Sequence, residues 1–335
     1  MKKLLFVLTF VVALTACSSD NSGNSKVNEV PSTNTVQTQS SEDQSQQEQA
    51  EQTASDTEQT VTYLGEDYTL PGEINNIVAA SLESMEDAAM LGIKPVGVLS
   101  IGDAIPEYLA TELEGAALVG DKFSPNLEAI VGLDPDVILG TSKFDETVAS
   151  SLNKIQTHIP YSHISTNWEA NLLLLGQLTN KESEAQALID QYYADSEEAK
   201  AQIGDSLQDK LVLIIRIRQG AMNVYPAGVY LNPVLYETLG TPVPEVIQAA
   251  EAQAALSLEA LADANPDYIF LQFETSENSE QPAALDDLLA DPIFQSIEAA
   301  KNDHVFINAI HPLAQGGTAW SKIKFLEAAI EHLTK

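Results

Sequence analysis

Arg216 and Arg218 are the only arginines among 335 residues, and they stand one residue apart in the apolar run LVLIIRIRQG. Residues two apart on an extended strand leave from the same face, so both guanidiniums point one way. Two like charges repel, and a buried guanidinium is costly to desolvate, so something anionic must face the pair. A structural carboxylate is one answer. An anionic ligand is the other, because arginine keeps its charge and presents a planar fork of donors to oxygen. Tyr225 and Tyr230 follow in MNVYPAGVYLNP, and tyrosine supplies both packing area and a hydroxyl. Ordinary half-buried tyrosines remain an equal alternative for each. The chemistry suggested is recognition of an oxygen-rich anion by a few donors and aromatic walls.

Further candidates stand where predicted strands run into loops. Lys122, Phe123 and Lys143 follow such strands in the first half, and open α/β sheets bind ligands beyond the carboxyl ends of their strands. Solvated lysines are the plain alternative. NAIHPLAQGGTAWSKIKFLE places His311 and Trp320 around a Gly316-Gly317 pair before the last helix. Core packing competes with a ligand role for Trp320, and a satisfied loop histidine for His311. The five histidines show no His-x-x-His spacing and the single cysteine completes no ligand set, so direct zinc or manganese binding is not expected. No Gly-x-Ser-x-Gly elbow or phosphate loop stands in the chain. An enzyme and a resident cofactor are therefore not expected.

The elements that must position these residues begin after a leader. MKKLLFVLTFVVALTAC has two lysines, an apolar run too short to span a bilayer comfortably, and small residues before Cys17. Residues 1–16 read as a signal peptide. Residues 17–60 read as a lipidated Cys17 and a disordered polar tether, with little apolar surface to offset ordering entropy. The formal charge of -33 excludes nucleic acid as a partner. Residues 61–165 and 205–335 are expected to form two α/β lobes, joined by a connecting helix over residues 166–204 with Gly176 and Thr179-Asn180 as weak points.

An internal repeat supports two lobes. NLEAIVGLDPDVIL (126–139) aligns without gaps with SLEALADANPDYIF (257–270), an offset of 131 residues. Each copy reads as a capped helix, a break at proline and a short β-rich run. Alternating strands and helices predict mainly parallel sheets flanked by helices.

Leu14-Thr15-Ala16-Cys17 resembles the bacterial lipobox. That segment, the polar tether, SPNLEAIVGLDPDVILG, LSLEALADANPDYIFLQ and IEAAKNDHVFIN together resemble a class III solute-binding lipoprotein of an ABC importer. Within that class the likeness is to the iron–siderophore, hydroxamate-type receptors of Gram-positive bacteria. The resemblance implies a helical-backbone periplasmic-binding-protein fold, with two lobes bridged by a single long helix. It implies capture of an Fe(III)–siderophore complex, hydroxamate or citrate–hydroxamate, at a monomeric protein lipid-anchored to the outer face of the cell membrane. The partners implied are an ABC permease and its ATPase, docked through one surface glutamate per lobe. The motifs MEDAAMLGIKPVGV and LNPVLYETLG point to Glu86 and Glu237 for that role. Ferric citrate, haem or a corrinoid are alternative ligands. A lipoprotein enzyme or surface domain on the same scaffold is the alternative of another class.

Overall fold

The computed structural model describes residues 57–334. The expectations for the signal peptide, Cys17 and most of the tether fall outside them. The first strand starts inside the segment expected to be tether: β1 (Glu58–Tyr63) pairs antiparallel with β2 (Glu66–Pro71). Alternation explains why it is ordered, since Val61 and Tyr63 are buried while Thr60 and Thr62 lie outside.

The first lobe alternates β3 (Ile77–Ala80), α1 (Leu82–Met90), β4 (Gly97–Ser100), β5 (Ala117–Asp121), α2 (Leu127–Val131), β6 (Val137–Thr141), α3 (Glu146–Asn153) and β7 (His158–Tyr161). Its sheet is fully parallel in the order β5-β4-β3-β6-β7. Every residue of β3 and β6 is buried. Their continuous apolar runs suit a sheet covered on both faces.

The connecting segment corrects an expectation. It is not one helix but two, α4 (Trp168–Leu178) and α5 (Glu182–Ile203), packed against each other. Thr179 Oγ1 donates 2.7 Å back to Leu175 O, and Asn180 takes a left-handed φ of 55°. Gly176 permits the fold-back, because a Cβ there would lie 2.9 Å from Ala185 Cβ. The 22 residues of α5 alone span about 33 Å between the lobes.

The second lobe contains β8 (Val212–Arg218), β9 (Ala221–Val224), α6 (Glu245–Gln248), β10 (Ala254–Ala255), α7 (Leu258–Ala264), β11 (Tyr268–Phe273), α8 (Ala284–Ala290), α9 (Glu298–Lys301) and β12 (Val305–Ile307). Its order is β10-β9-β8-β11-β12, with β8, β11 and β12 parallel and the β9 and β10 pairings antiparallel. The final helix, α10 (Ala319–Leu333), returns to pack on α1 and α5.

The sequence repeat is also a structural one. Asn126 and Ser257 cap α2 and α7 by accepting from Ala129 N and Ala260 N. Each proline is followed by an aspartate that clamps the chain entering the neighbouring strand. Asp136 accepts 2.7 Å hydrogen bonds from Asn75 N and Asn76 N just before β3. Asp267 accepts from Leu211 N at 2.9 Å just before β8.

Candidate ligand-binding site

The carboxyl ends of both sheets open on one cavity of about 530 Å³. Seven of the residues expected to meet a ligand line it: Lys122, Phe123, Lys143, Arg216, Arg218, Tyr225 and Tyr230. Acids outnumber Lys plus Arg by 49 to 16 in the whole chain. This cavity reverses the balance, with four cations against Glu83, Asp145 and Glu277. A concave, low-dielectric wall concentrates such a field.

Arg216 and Arg218 leave β8 on one face, as their spacing requires. Both reach Glu277, in a short helical turn after β11. Arg216 Nη2 and Nε stand 2.9 and 3.1 Å from Glu277 Oε2, and Arg218 Nη2 stands 3.4 Å from Oε1. Lys122 extends from the first lobe to within 3.6 Å of the same Oε1. Burial lowers the Lys122 pKa, Glu277 opposes that shift, and the two arginines add to it. The fourth cation, Lys143, makes a 3.0 Å ion pair with the buried Glu83.

Aromatic walls complete the site. The Arg216 guanidinium lies 5.3 Å from the centre of the Tyr230 ring, within cation–π range. Tyr225 and Tyr230 rings are 5.2 Å apart. Tyr225 Oη and Arg218 Nη1 both donate to Gln253 Oε1, at 3.0 and 2.9 Å. The Tyr230 hydroxyl is buried without a hydrogen-bond partner among the described residues, and burial pushes its phenol up to about 12. It remains a proton donor throughout the physiological range. Phe123 is 72% exposed at the rim, an apolar surface held against solvent beside a charged site.

His311 and Trp320 do not line the cavity. Their rings pack on Tyr108, at centroid distances of 4.3 and 4.8 Å, and flank the QGG turn in sequence. Gln315 from that turn lines the cavity instead. Gly316 has φ of 76°, and a Cβ there would come within 2.5 Å of the Tyr230 carbonyl carbon. The glycine lets the two backbones touch at the floor of the cleft.

Glu86 also needs correction. It was expected on the surface, but it is fully buried. Its carboxylate accepts from Tyr108 Oη at 2.6 Å, Thr318 Oγ1 at 2.5 Å, Ser321 Oγ at 2.6 Å and Gln315 N at 3.1 Å. Eight of the nine residues of α1 are buried, because the helix is sandwiched between its own sheet and α10. In this conformation Glu86 holds the first lobe to the start of α10 and presents no charge to solvent. Glu237 is exposed on a short helical turn, as a docking role requires.

Sequence reasoning passed over Glu277, His163, Phe144 and Gln253, which all line the cavity. His163 follows β7, and its Nδ1 lies 2.7 Å from Ser142 Oγ. Burial, with Lys143 nearby, lowers its pKa. The strand-end rule that found Lys143 would have found it too.

Comparison with known proteins agrees with this architecture. The chain is 43% identical over 337 residues to the iron-uptake system-binding protein of Bacillus subtilis, covering 100% of both chains. It is similar to the crystal structure of the triscatecholate siderophore binding protein FeuA from Bacillus subtilis complexed with ferri-bacillibactin. There the TM-score is 0.78 at 44% identity, over 82% of this chain and 98% of that one. The Fe(3+) dicitrate-binding periplasmic protein FecB of Escherichia coli is 26% identical over 245 residues, 71% of this chain and 78% of that protein. Residues 1–18, which include Cys17, match the prokaryotic membrane lipoprotein lipid attachment site. With residues 77–308 matching its model, both sheets included, the chain belongs to the periplasmic binding protein family.

Proposed function

We propose that this lipoprotein is the extracytoplasmic substrate-binding component of an ABC importer, capturing a ferric siderophore and passing it to a permease. The carrying observation is the convergence of Arg216, Arg218 and Lys122 on one point between the lobes. Three hydroxamates balance the charge of Fe(III), whereas three dianionic catecholates leave a trianion. A three-cation cluster is matched to the second. The ligand reading therefore moves from the hydroxamate or citrate–hydroxamate expectation to a triscatecholate, in keeping with the ligand named for the Bacillus subtilis relative.

The side chains have no need to ligate iron. Guanidinium and ammonium donors meet the outer oxygens of the chelate, while Phe123, Tyr225 and Tyr230 pack on its rings. Glu237 remains the candidate docking contact of the second lobe. Fluorescence titration with a ferric hexadentate triscatecholate, a ferric trishydroxamate and ferric citrate tests the reading. Tightest binding of the catecholate is expected; equal or tighter binding of the neutral trishydroxamate overturns it.

A further inference from the structure

Glu277 is the acid that three cations of the site share, and its placement is built rather than incidental. Asn278, 1% exposed, donates to Ile217 O at 2.9 Å and Glu274 O at 2.8 Å, and accepts from Gly220 N at 3.0 Å. Glu277 O accepts from Gln219 N at 3.0 Å. The turn carrying the carboxylate is thereby pinned to the β8–β9 hairpin that carries the arginines. Its side chain is only 8% exposed and meets cations from both lobes.

We infer that Glu277 is a built-in anionic competitor that sets the charge threshold of the site: a guest must outbid this carboxylate for Arg216, Arg218 and Lys122 before it can bind. The inference rests on the anionic-chelate reading above. Three charge-assisted contacts to one carboxylate oppose every incoming ligand by a similar amount. What a guest recovers grows with its own charge. An uncharged trishydroxamate complex recovers too little, and a trianion recovers most. Glu277 thus sets a common cost that lowers every affinity, so only a guest charged enough to meet it is held. It also keeps the buried guanidinium of Arg216 from standing unpaired, which is costly.

The two roles predict opposite signs in one variant. In Glu277→Gln the arginines lose their counter-charge, so the protein without ligand melts earlier. The same loss removes the competitor, so the ferric triscatecholate binds at least tenfold more tightly and its stabilising shift in melting temperature increases. The neutral ferric trishydroxamate, weak on the wild type, gains measurable affinity. Glu277→Asp, which keeps the charge on a shorter arm, falls between. The experiment is titration and thermal melting of wild type, Glu277→Gln and Glu277→Asp with both chelates.

If the wild type binds the triscatecholate and Glu277→Gln binds it equally or more weakly, Glu277 only positions the arginines and the inference falls while the proposed function stands. If only Glu277→Gln binds, the competitor is real but the native guest is another anion. If neither binds, the chelate reading falls and takes the inference with it.

Discussion

The Glu86 carboxylate of the first lobe accepts a 2.5 Å hydrogen bond from the Thr318 hydroxyl, the capping residue of the final helix. Beside it, Asp87 accepts from Ala319 N at 2.8 Å and from Tyr161 Oη at 2.9 Å. Two carboxylates of one helix thus hold the first turn of another, which favours negative charge there.

Burial raises the Glu86 pKa to about 7 against the lowering effect of its Ser321, Thr318 and Tyr108 donors, and the neighbouring Glu83 adds to the rise. The folded protein then binds more protons than the unfolded chain between about pH 4.5 and 7. Stability from this group accordingly falls as pH rises through that window, by on the order of 3 kcal/mol. Glu86→Gln should flatten this part of the profile in urea unfolding followed from pH 4.5 to 7.5. Glu86→Ala removes the acceptor of the Tyr108, Thr318 and Ser321 hydroxyls and is expected to lose about 2–4 kcal/mol at pH 7.

Lys322 is 4% exposed, and its ammonium lies 5.8 Å from the centre of the Trp168 ring, with no ion pair among the described residues. Burial lowers its pKa to about 8, with Glu237 and Glu169 opposing the shift. Here the unfolded chain binds the extra proton, so the penalty is complete below about pH 8 and fades above it. Lys322→Met should therefore stabilise the protein at pH 7 by on the order of 2–3 kcal/mol and remove a rise in stability between pH 8 and 10. An unchanged melting temperature at pH 7 would count against it.

Replacing Arg216 with Met should weaken ferric chelate binding by about 10- to 100-fold, one charge-assisted hydrogen-bonded contact. Arg216→Lys is expected to recover little, since an ammonium cannot reproduce the fork. Raising ionic strength should weaken the wild type more than Arg216→Met, because screening acts on each charge retained. Titrations at low and high salt decide this.

Gly316→Ala places a Cβ in the left-handed region and against the Tyr230 backbone. A loss of stability on the order of 2 kcal/mol is expected. Affinity should fall as well, since Tyr230 and Gln315 both line the cavity. Thermal melting and titration of the same sample test the coupling.

Much of this molecule was legible beforehand, for identifiable reasons. The apolar runs of β3, β6, β8 and β11 signal parallel strands buried on both faces, and the strand-end rule then locates Lys122, Lys143 and the arginine pair. The misplaced acids share a cause: an excess of acidic residues hides which ones are inside. LESMEDAAM reads as a helix with a wet acidic face, yet Glu83, Glu86 and Asp87 are all interior because α10 covers that face. Glu277 was invisible for the same reason, although the arginine pair demanded an anion. The break between α4 and α5 falls at the weak points Gly176 and Thr179-Asn180 visible in the sequence: Asn180 takes a left-handed conformation that asparagine tolerates, and Gly176 admits the close approach of Ala185.

The aspartate clamps of the two repeats sit where the strands begin, and the residues offered to the guest sit where those strands finish. Instructions for assembling the scaffold and instructions for choosing its cargo are thereby written at opposite poles of the same sheets. A lineage can rewrite the loops at one pole, exchanging one iron carrier for another, while the architecture at the other pole is inherited untouched.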